Sequence, residues 1–154
     1  MSAALGLAFW AVKVLKFEVG RSSFRSAEEL EDRTGYTVMG QIPVIPARRR
    51  KGVLGYVVAK PTSVAVESIR NLRTSVTMVG AKPPKVIMLT SSVPGEGKTT
   101  QALALAQNMA GLGKRVLVIE GDIRRRMFRK YFDTGSGGGI LKVIQNKLPL
   151  SEAI

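Results

Sequence analysis

The sequence predicts an α/β fold in which helices flank a parallel sheet. Two runs, residues 85–91 and 115–120, are apolar over most of their length, which is typical of strands buried on both faces of such a sheet. A glycine-rich loop and a helical pattern over residues 99–110 lie between the two runs. The order strand, loop, helix, strand is a βαβ unit, and it predicts that the two strands lie parallel.

Composition narrows the chemistry that the chain can perform. Its 154 residues suffice to bury a core without disulfides, and the absence of cysteine and histidine excludes histidine-based catalysis and most zinc sites. The net charge of +13 predicts an anionic neighbour such as phosphates, lipid head groups or nucleic acid. The basic residues concentrate in two runs, at 48–51 and 124–130, each of which also fits a solvated surface.

The first seventeen residues allow two interpretations. Residues 2–12 are almost wholly apolar, and Lys13 and Lys16 follow them. This run is shorter than the roughly 20 residues that span a bilayer. It is therefore either an amphipathic or buried helix, or the cytoplasmic end of a transmembrane helix. Trp10 and the two lysines fit a membrane exit on the positive, cytoplasmic side.

Residues 18–60 read as a linker that contains one short helix. Ser26 and Glu29 have the spacing of a capping box, and Gly35 is placed to end the helix that they begin. Residues 37–43 predict a short strand or extended segment, and residues 44–60 predict a linker with a basic run.

Helices are also predicted on both sides of the central unit. Over residues 64–79, Ala65, Ile69, Leu72 and Val76 share one face of a helix. In the helix over residues 99–110, the residues on one side are Leu103, Ala106 and Ala110. A flexible loop over residues 134–139 and a short helix over residues 140–145 are expected near the end of the chain.

The segment SSVPGEGKTT, residues 91–100, predicts a phosphate-binding loop. Gly95 and Gly97 allow the backbone to curl around a phosphate, and the following helix offers its positive N-terminal end. Lys98 is expected at the β- and γ-phosphates, and the Thr99 hydroxyl at Mg²⁺. Ser92 stands where the full pattern has glycine, and the segment resembles the deviant Walker A motif of MinD/ParA-like proteins. The expected nucleotide-binding residues are Pro94, Gly95, Glu96, Gly97, Lys98, Thr99 and Thr100.

Two carboxylates follow the second predicted strand. Glu120 and Asp122 lie where α/β sheets bind ligands, and beside a triphosphate they would orient Mg²⁺ or accept a proton. An ordinary polar end of a strand is the alternative. Lys98, Asp122 and Glu120 are therefore the candidate catalytic residues, and Thr99, Asp122 and Glu120 the candidate metal ligands.

Glu67, Arg70 and Arg73 recur at steps of three and lie away from the apolar stripe of their helix. A local Glu67–Arg70 pair is the simpler explanation, although it leaves Arg73 unexplained. Taken in order, the Glu-x-x-Arg-x-x-Arg spacing, SSVPGEGKTT and VLVIEGDIR resemble the cytoplasmic P-loop domain of bacterial tyrosine kinases attached to polysaccharide co-polymerases. The opening segment is similar to the region that links the last transmembrane helix to that domain.

The resemblance implies an ATP- and Mg²⁺-dependent tyrosine autokinase that regulates polymerisation and export of capsular polysaccharide or exopolysaccharide. Residues 1–17 would end a transmembrane helix, residues 18–60 would form the juxtamembrane linker, and residues 61–154 would begin the P-loop kinase domain. Glu67, Arg70 and Arg73 would mediate ring-like self-assembly. In the resembled family, the position of Glu120 usually holds aspartate.

The same resemblance implies further partners and a location. These are the polysaccharide export machinery and the inner membrane, with the domain on its cytoplasmic face and without a specific nucleic acid. No second magnesium motif and no terminal tyrosine cluster are found, so the fold is expected to be incomplete at the C-terminus.

Two other functions stay open. One is a partitioning or septum-positioning ATPase of the same superfamily, which would bind DNA or membrane through its basic surface. The other is a non-catalytic module that binds nucleotide and uses the Glu67 helix to assemble. Turnover of ATP by the complete protein separates the kinase from the module, and retention on DNA at physiological salt would favour the positioning ATPase.

Overall fold

The structure is a computed structural model that describes residues 24–47, 49–122, 124–132 and 139–153. Contacts between residues divide the chain into two compact units, Met1–Val38 and Met39–Ile154. The predicted membrane-helix end over residues 1–17 and most of the glycine-rich loop over residues 134–139 lie outside the described residues. Among the residues that are described, no helix is long and apolar enough to cross a membrane.

In the first unit, helix α1 spans Ala27–Thr34 and has the serine half of the predicted capping box. The Glu29 carboxylate accepts from the Arg25 N–H at 2.9 Å, one residue before the Ser26 cap. The Ser26 hydroxyl accepts a hydrogen bond from the Glu29 N–H at 3.2 Å, and Gly35 ends the helix with φ 70°. Two hydrogen bonds, the first from its own backbone N–H and the second from the Ser26 hydroxyl, lower the pKa of the Glu28 carboxyl. The helix start is thus fixed by local hydrogen bonds, as the sequence indicates.

The second unit contains helix α2 over Arg50–Ala59, where the sequence analysis expected a linker. That prediction is wrong for these residues. Gly52 and Gly55 each disfavour a helix by about 1 kcal/mol relative to alanine. Burial opposes this cost, because Val57 is only 7% exposed and belongs to the core.

Helix α3 over Val64–Thr77 and helix α4 over Lys98–Ala110 follow the predicted bounds closely. The Ser63 hydroxyl caps α3 by accepting from the Val66 N–H. Both α2 and α3 pack on α4, and Val57, Val66, Ile69 and Ala104 form the core cluster.

The buried face of α4 differs from the predicted one. Ala110 is exposed, whereas Leu103, Ala104 and Leu105 are all buried. Consecutive residues of a helix point about 100° apart, so one packing partner cannot cover all three. Contacts with two helices explain why the buried surface of α4 is wider than a single stripe.

The two predicted strands form no regular secondary structure here, and no strand occurs among the described residues. The expectation that they are covered on both faces is wrong here: Val86 is 87% exposed, Met88 86% and Ile119 56%. A strand is a paired state, and without a hydrogen-bonded neighbour its backbone and side chains stay open to solvent. The parallel sheet therefore remains a prediction.

Short elements complete the second unit. A 3-10 turn spans Met127–Lys130, helix α5 spans Ile140–Ile144, and a second 3-10 turn spans Leu150–Glu152. Helix α5 confirms the short helix that the sequence predicts over residues 140–145.

Candidate functional site

The phosphate-loop candidate has the backbone that its glycines predict. Gly95 and Gly97 have φ values of 99° and 93°, in the region that side chains disfavour. Gly97 precedes the first residue of α4, so the loop delivers the chain directly into a helix N-terminus. The free N–H groups and the positive end of the helix dipole make this a favourable place for an anion.

Glu96 makes hydrogen bonds to other residues of the loop. The Glu96 carboxylate accepts hydrogen bonds from the Ser92 hydroxyl and the Val93 N–H, each at 3.2 Å. The Ser91 hydroxyl adds a bond to the Val93 carbonyl oxygen at 3.0 Å. Glu96 therefore holds the shape of the loop and directs its carboxylate to loop residues.

A cleft opens beside the loop and joins stretches that are distant in sequence. Five of the seven predicted nucleotide-binding residues line it, whereas Pro94 and Glu96 do not. Of the described residues, those that line the cleft are Gly95, Gly97, Lys98, Thr99, Thr100, Asp122, Arg125, Met127 and Tyr131.

Lys98 and Asp122 both line this cleft. The Lys98 Nζ lies 3.9 Å from the Asp122 Oδ2, and both side chains are about one-third exposed or less. The Asp122 Oδ1 also accepts a hydrogen bond from the Arg125 N–H at 3.2 Å. A cation and a carboxylate are thereby held at the N-terminus of α4.

Three residues that line the cleft were not predicted from the sequence: Arg125, Met127 and Tyr131. Arg125 lies in a basic run directly after the acidic segment, and that position could have indicated a phosphate contact. Tyr131 is 7% exposed, and its hydroxyl makes a hydrogen bond with the Thr100 hydroxyl. No spacing rule predicts this contact, because the two residues lie 31 positions apart.

Glu120 is absent from the described lining of the cleft. Its Oε1 accepts hydrogen bonds from two backbone N–H groups, those of Met127 and Phe128, the latter at 3.1 Å. The structure thus brings Asp122 to the lysine and engages Glu120 at the start of the 3-10 turn. The predicted metal and catalytic roles of Glu120 stay predictions.

The donor set of the cleft fits a nucleotide with its magnesium ion. Lys98, Arg125 and the loop N–H groups offer positive charge for phosphates, and Thr99 and Asp122 offer oxygen ligands. No group of three or more acidic side chains suited to a metal occurs among the described residues. Mg²⁺ that is bound to a nucleotide takes one or two protein oxygens together with phosphates and waters, and Thr99 and Asp122 could supply those two oxygens.

The three residues predicted to mediate assembly have partners within the chain. Arg70 forms an ion pair with Glu67, and both side chains are exposed by more than one-third. The Arg73 Nη1 donates to the Asn108 Oδ1 of α4 at 2.7 Å. The sequence places Arg73 away from the apolar stripe of its helix. In the structure, its side chain nevertheless contacts the neighbouring helix α4 through this hydrogen bond. Its role in assembly stays a prediction.

Comparison with known proteins relates the chain to P-loop enzymes. A family model described as "ATPase MipZ" matches residues 85–152, which include the loop and Asp122. A solved structure titled "Crystal structure of the chimerical protein CapA2B2" aligns with a TM-score of 0.71 and 25% identity. The alignment covers 82% of this chain and 53% of that one. Together these matches support a P-loop NTPase fold.

Curated relatives are named as tyrosine kinases. "Tyrosine-protein kinase YwqD" of Bacillus subtilis is 31% identical over 109 residues, covering 70% of this chain and 45% of that protein. "Tyrosine-protein kinase wzc" of Salmonella typhimurium is 31% identical over 161 residues, covering 95% and 22%. "Putative tyrosine-protein kinase AmsA" of Erwinia amylovora is 37% identical over 93 residues, covering 59% and 13%.

The chain thus spans less than half the length of each of these relatives. The matches agree with the resemblance carried by the glycine loop and the segment around Asp122. In sequence, the chain is therefore similar to proteins that are named bacterial tyrosine-protein kinases.

Proposed function

We propose that the chain is part of an ATP-dependent protein-tyrosine kinase and supplies its phosphate-binding half. The observation that carries this proposal is the meeting of Lys98 and Asp122, 3.9 Å apart, at the N-terminus of the helix that follows a glycine loop. Lys98 would neutralise charge on the β- and γ-phosphates. Thr99 and Asp122 would hold Mg²⁺, which spreads the charge of the transferring group when it is bound.

The reaction that fits this site is phosphoryl transfer to a tyrosine hydroxyl. The bond from the γ-phosphorus to its bridging oxygen breaks, a bond to the tyrosine oxygen forms, and the tyrosine proton requires an acceptor. Asp122 is the carboxylate that the geometry offers for this proton. Arg125 adds a second cation on the same side of the cleft.

The names of relatives support the kinase activity, and the resemblance of the glycine loop and of the segment around Asp122 supports the wider role. We infer that the parent protein is an autokinase that regulates polymerisation and export of capsular polysaccharide or exopolysaccharide at the cytoplasmic face of the inner membrane. Its partners would be further copies of itself, in a ring, and the export machinery. Residues 85–91 and 115–120 would occupy strand positions of a parallel sheet once neighbouring strands are available to pair with them.

A non-catalytic nucleotide-binding module is a second candidate. It is favoured by Glu120, whose carboxylate is engaged by backbone N–H groups outside the described lining of the cleft. Such a module would bind ATP without turning it over. Release of ADP by the complete protein therefore separates the module from the kinase.

The test of the nucleotide site is Lys98→Ala, with Lys114→Ala as the control that removes the same charge from an exposed position outside the cleft. By isothermal calorimetry with ATP and Mg²⁺, we expect Lys98→Ala to abolish measurable binding, because the cation at the β- and γ-phosphates is lost. Lys114→Ala should bind like the wild type. Equal affinities for Lys98→Ala and wild type would refute the site.

A further inference from the structure

We propose that Glu120 is a positioning residue that braces one wall of the cleft by holding the start of the 3-10 turn Met127–Lys130. This inference rests on the proposed nucleotide site for its effect on binding. Its structural part, the brace itself, stands on the hydrogen bonds of Glu120 alone.

The brace begins with one carboxylate oxygen that accepts two backbone N–H groups. Met127 and Phe128 are the first two residues of the turn. The Glu120 Oε1 accepts hydrogen bonds from both of their N–H groups. Hydrogen bonds to a carboxylate are stronger than those between neutral groups, so this side chain helps to hold the start of the turn.

The turn is followed by Tyr131, which contacts the last residue of the phosphate-loop segment, Thr100. The Tyr131 N–H donates to the Phe128 carbonyl oxygen at 2.9 Å, so the residue that Glu120 anchors also sets the position of the tyrosine. Tyr131 is buried, and its hydroxyl meets that of Thr100 in the first turn of α4. A continuous chain of hydrogen bonds therefore runs from Glu120 through the turn to the nucleotide loop.

Two further bonds fix the opposite end of the same segment. Asp122 accepts from the Arg125 N–H through its side chain and from the Arg126 N–H through its carbonyl oxygen, the latter at 3.3 Å. Arg126 takes up a left-handed backbone with φ 41°. With both ends held, Asp122 and residues 124–131 form a wall from which Arg125 lines the cleft.

A side chain at residue 120 that accepts backbone N–H groups needs sufficient length, whereas one that binds a metal ion benefits from negative charge. Glutamine keeps an oxygen that accepts N–H groups and loses the negative charge that makes a carboxylate a strong Mg²⁺ ligand. Aspartate keeps the charge and is one methylene shorter, so it falls short of N–H groups seven and eight residues further along. Glu120→Gln and Glu120→Asp therefore separate the two roles.

The experiment measures amide hydrogen exchange at Met127 and Phe128 by NMR, and ATP affinity in Mg²⁺ and in EDTA. Under the proposal, Glu120→Gln keeps both amides protected and binds ATP within about threefold of wild type in both buffers. Glu120→Ala and Glu120→Asp lose about tenfold or more in protection, and weaken ATP equally with and without Mg²⁺. Glu152→Gln, an exposed glutamate near the chain end, should match wild type in every measurement.

Two results would overturn the brace. One is exchange of the Met127 and Phe128 amides at unprotected rates in the wild type or in Glu120→Gln. The other is loss of the Mg²⁺-dependent part of ATP affinity in Glu120→Gln together with its retention in Glu120→Asp, which assigns the residue to the metal. If the wild type binds no ATP, the proposed function is wrong. The amide exchange rates still show whether Glu120 holds the Met127 and Phe128 N–H groups.

Discussion

Gly97 shows at the scale of one residue why a glycine is required where the phosphate loop enters its helix. Its φ of 93° is strained for any residue with a Cβ atom, although space is available: an added Cβ would lie 3.8 Å from the Gln101 Nε2. The constraint on this residue is therefore conformational. It follows from the curl that directs the loop N–H groups inward.

We therefore expect Gly97→Ala to weaken ATP binding by about tenfold or more, because a strain of about 1–2 kcal/mol acts on the loop that must cradle the phosphates. Gly139→Ala is the matched control, since that glycine has φ −88° and open space around it. Calorimetric titration of both variants tests the expectation. Equal affinities for the two would show that the loop tolerates a side chain at residue 97.

Some residues of the candidate site could be predicted from the sequence, and others could not. The spacing within SSVPGEGKTT predicts Gly95, Gly97 and Lys98 because each acts within a few positions of the others. The contacts of Tyr131 with Thr100 and of Glu120 with the 3-10 turn depend on how the chain returns to the loop. Only the fold brings those partners together, so the tyrosine and the brace could not be predicted from local patterns.

At the scale of elements, α3 and α4 are joined by a polar contact as well as by the core. Arg73 on α3 donates to Asn108 on α4, whereas Arg70, one turn earlier, pairs with Glu67 on its own helix. Arg73 therefore links two helices, whereas Arg70 makes a contact within one helix. Substituting each arginine in turn separates the contribution of the contact between helices from that of the local pair.

We expect Arg73→Ala to lower the free energy of unfolding by about 1–2 kcal/mol, because it removes a charged hydrogen bond that is half-buried between two helices. Arg70→Ala should cost about 0.5 kcal/mol or less, since an exposed pair within one helix is worth little. Urea denaturation followed by circular dichroism compares the two variants. A larger loss for Arg70→Ala than for Arg73→Ala would contradict this assignment.

Elements also differ in how far local signals predict them. Helix α1 is predicted well because Ser26 and Gly35 mark its ends, and α3 because its apolar residues recur at helical spacing. Helix α2 was missed because Gly52, Gly55 and the basic run resemble a loop, and only burial of Val57 shows why it forms. The two apolar runs predict strands, yet a strand needs a neighbour that the run itself does not specify.

At the scale of the whole molecule, the exposed pair of Glu67 and Arg70 is the part of the predicted assembly surface that remains available to another copy. In a ring, each copy would present this helix to a different surface of its neighbour. Arginine suits such a contact, because its fork pairs with a carboxylate through two parallel hydrogen bonds.

We accordingly expect Arg70→Ala to abolish self-assembly of the complete protein while ATP affinity stays within about twofold, because Arg70 lies outside the described lining of the cleft. Arg33→Ala is the control, since Arg33 forms a similar exposed ion pair with Glu29 on α1. Light scattering and nucleotide titration measure the two properties separately. Assembly of Arg70→Ala to the wild-type size would leave the Glu67–Arg70 pair as a purely local contact.

The run at residues 86–90, Val-Ile-Met-Leu-Thr, in which Val86 and Met88 are exposed, has a consequence for how this chain behaves in solution. It combines high strand propensity with no charge and no proline, and an accessible segment of this kind readily pairs with a second copy of itself. The net charge of +13 opposes that encounter through mutual repulsion, whose range shrinks as salt is added. Turbidity of the chain should therefore rise with ionic strength, and a chain that stays clear in high salt would show that the run is covered.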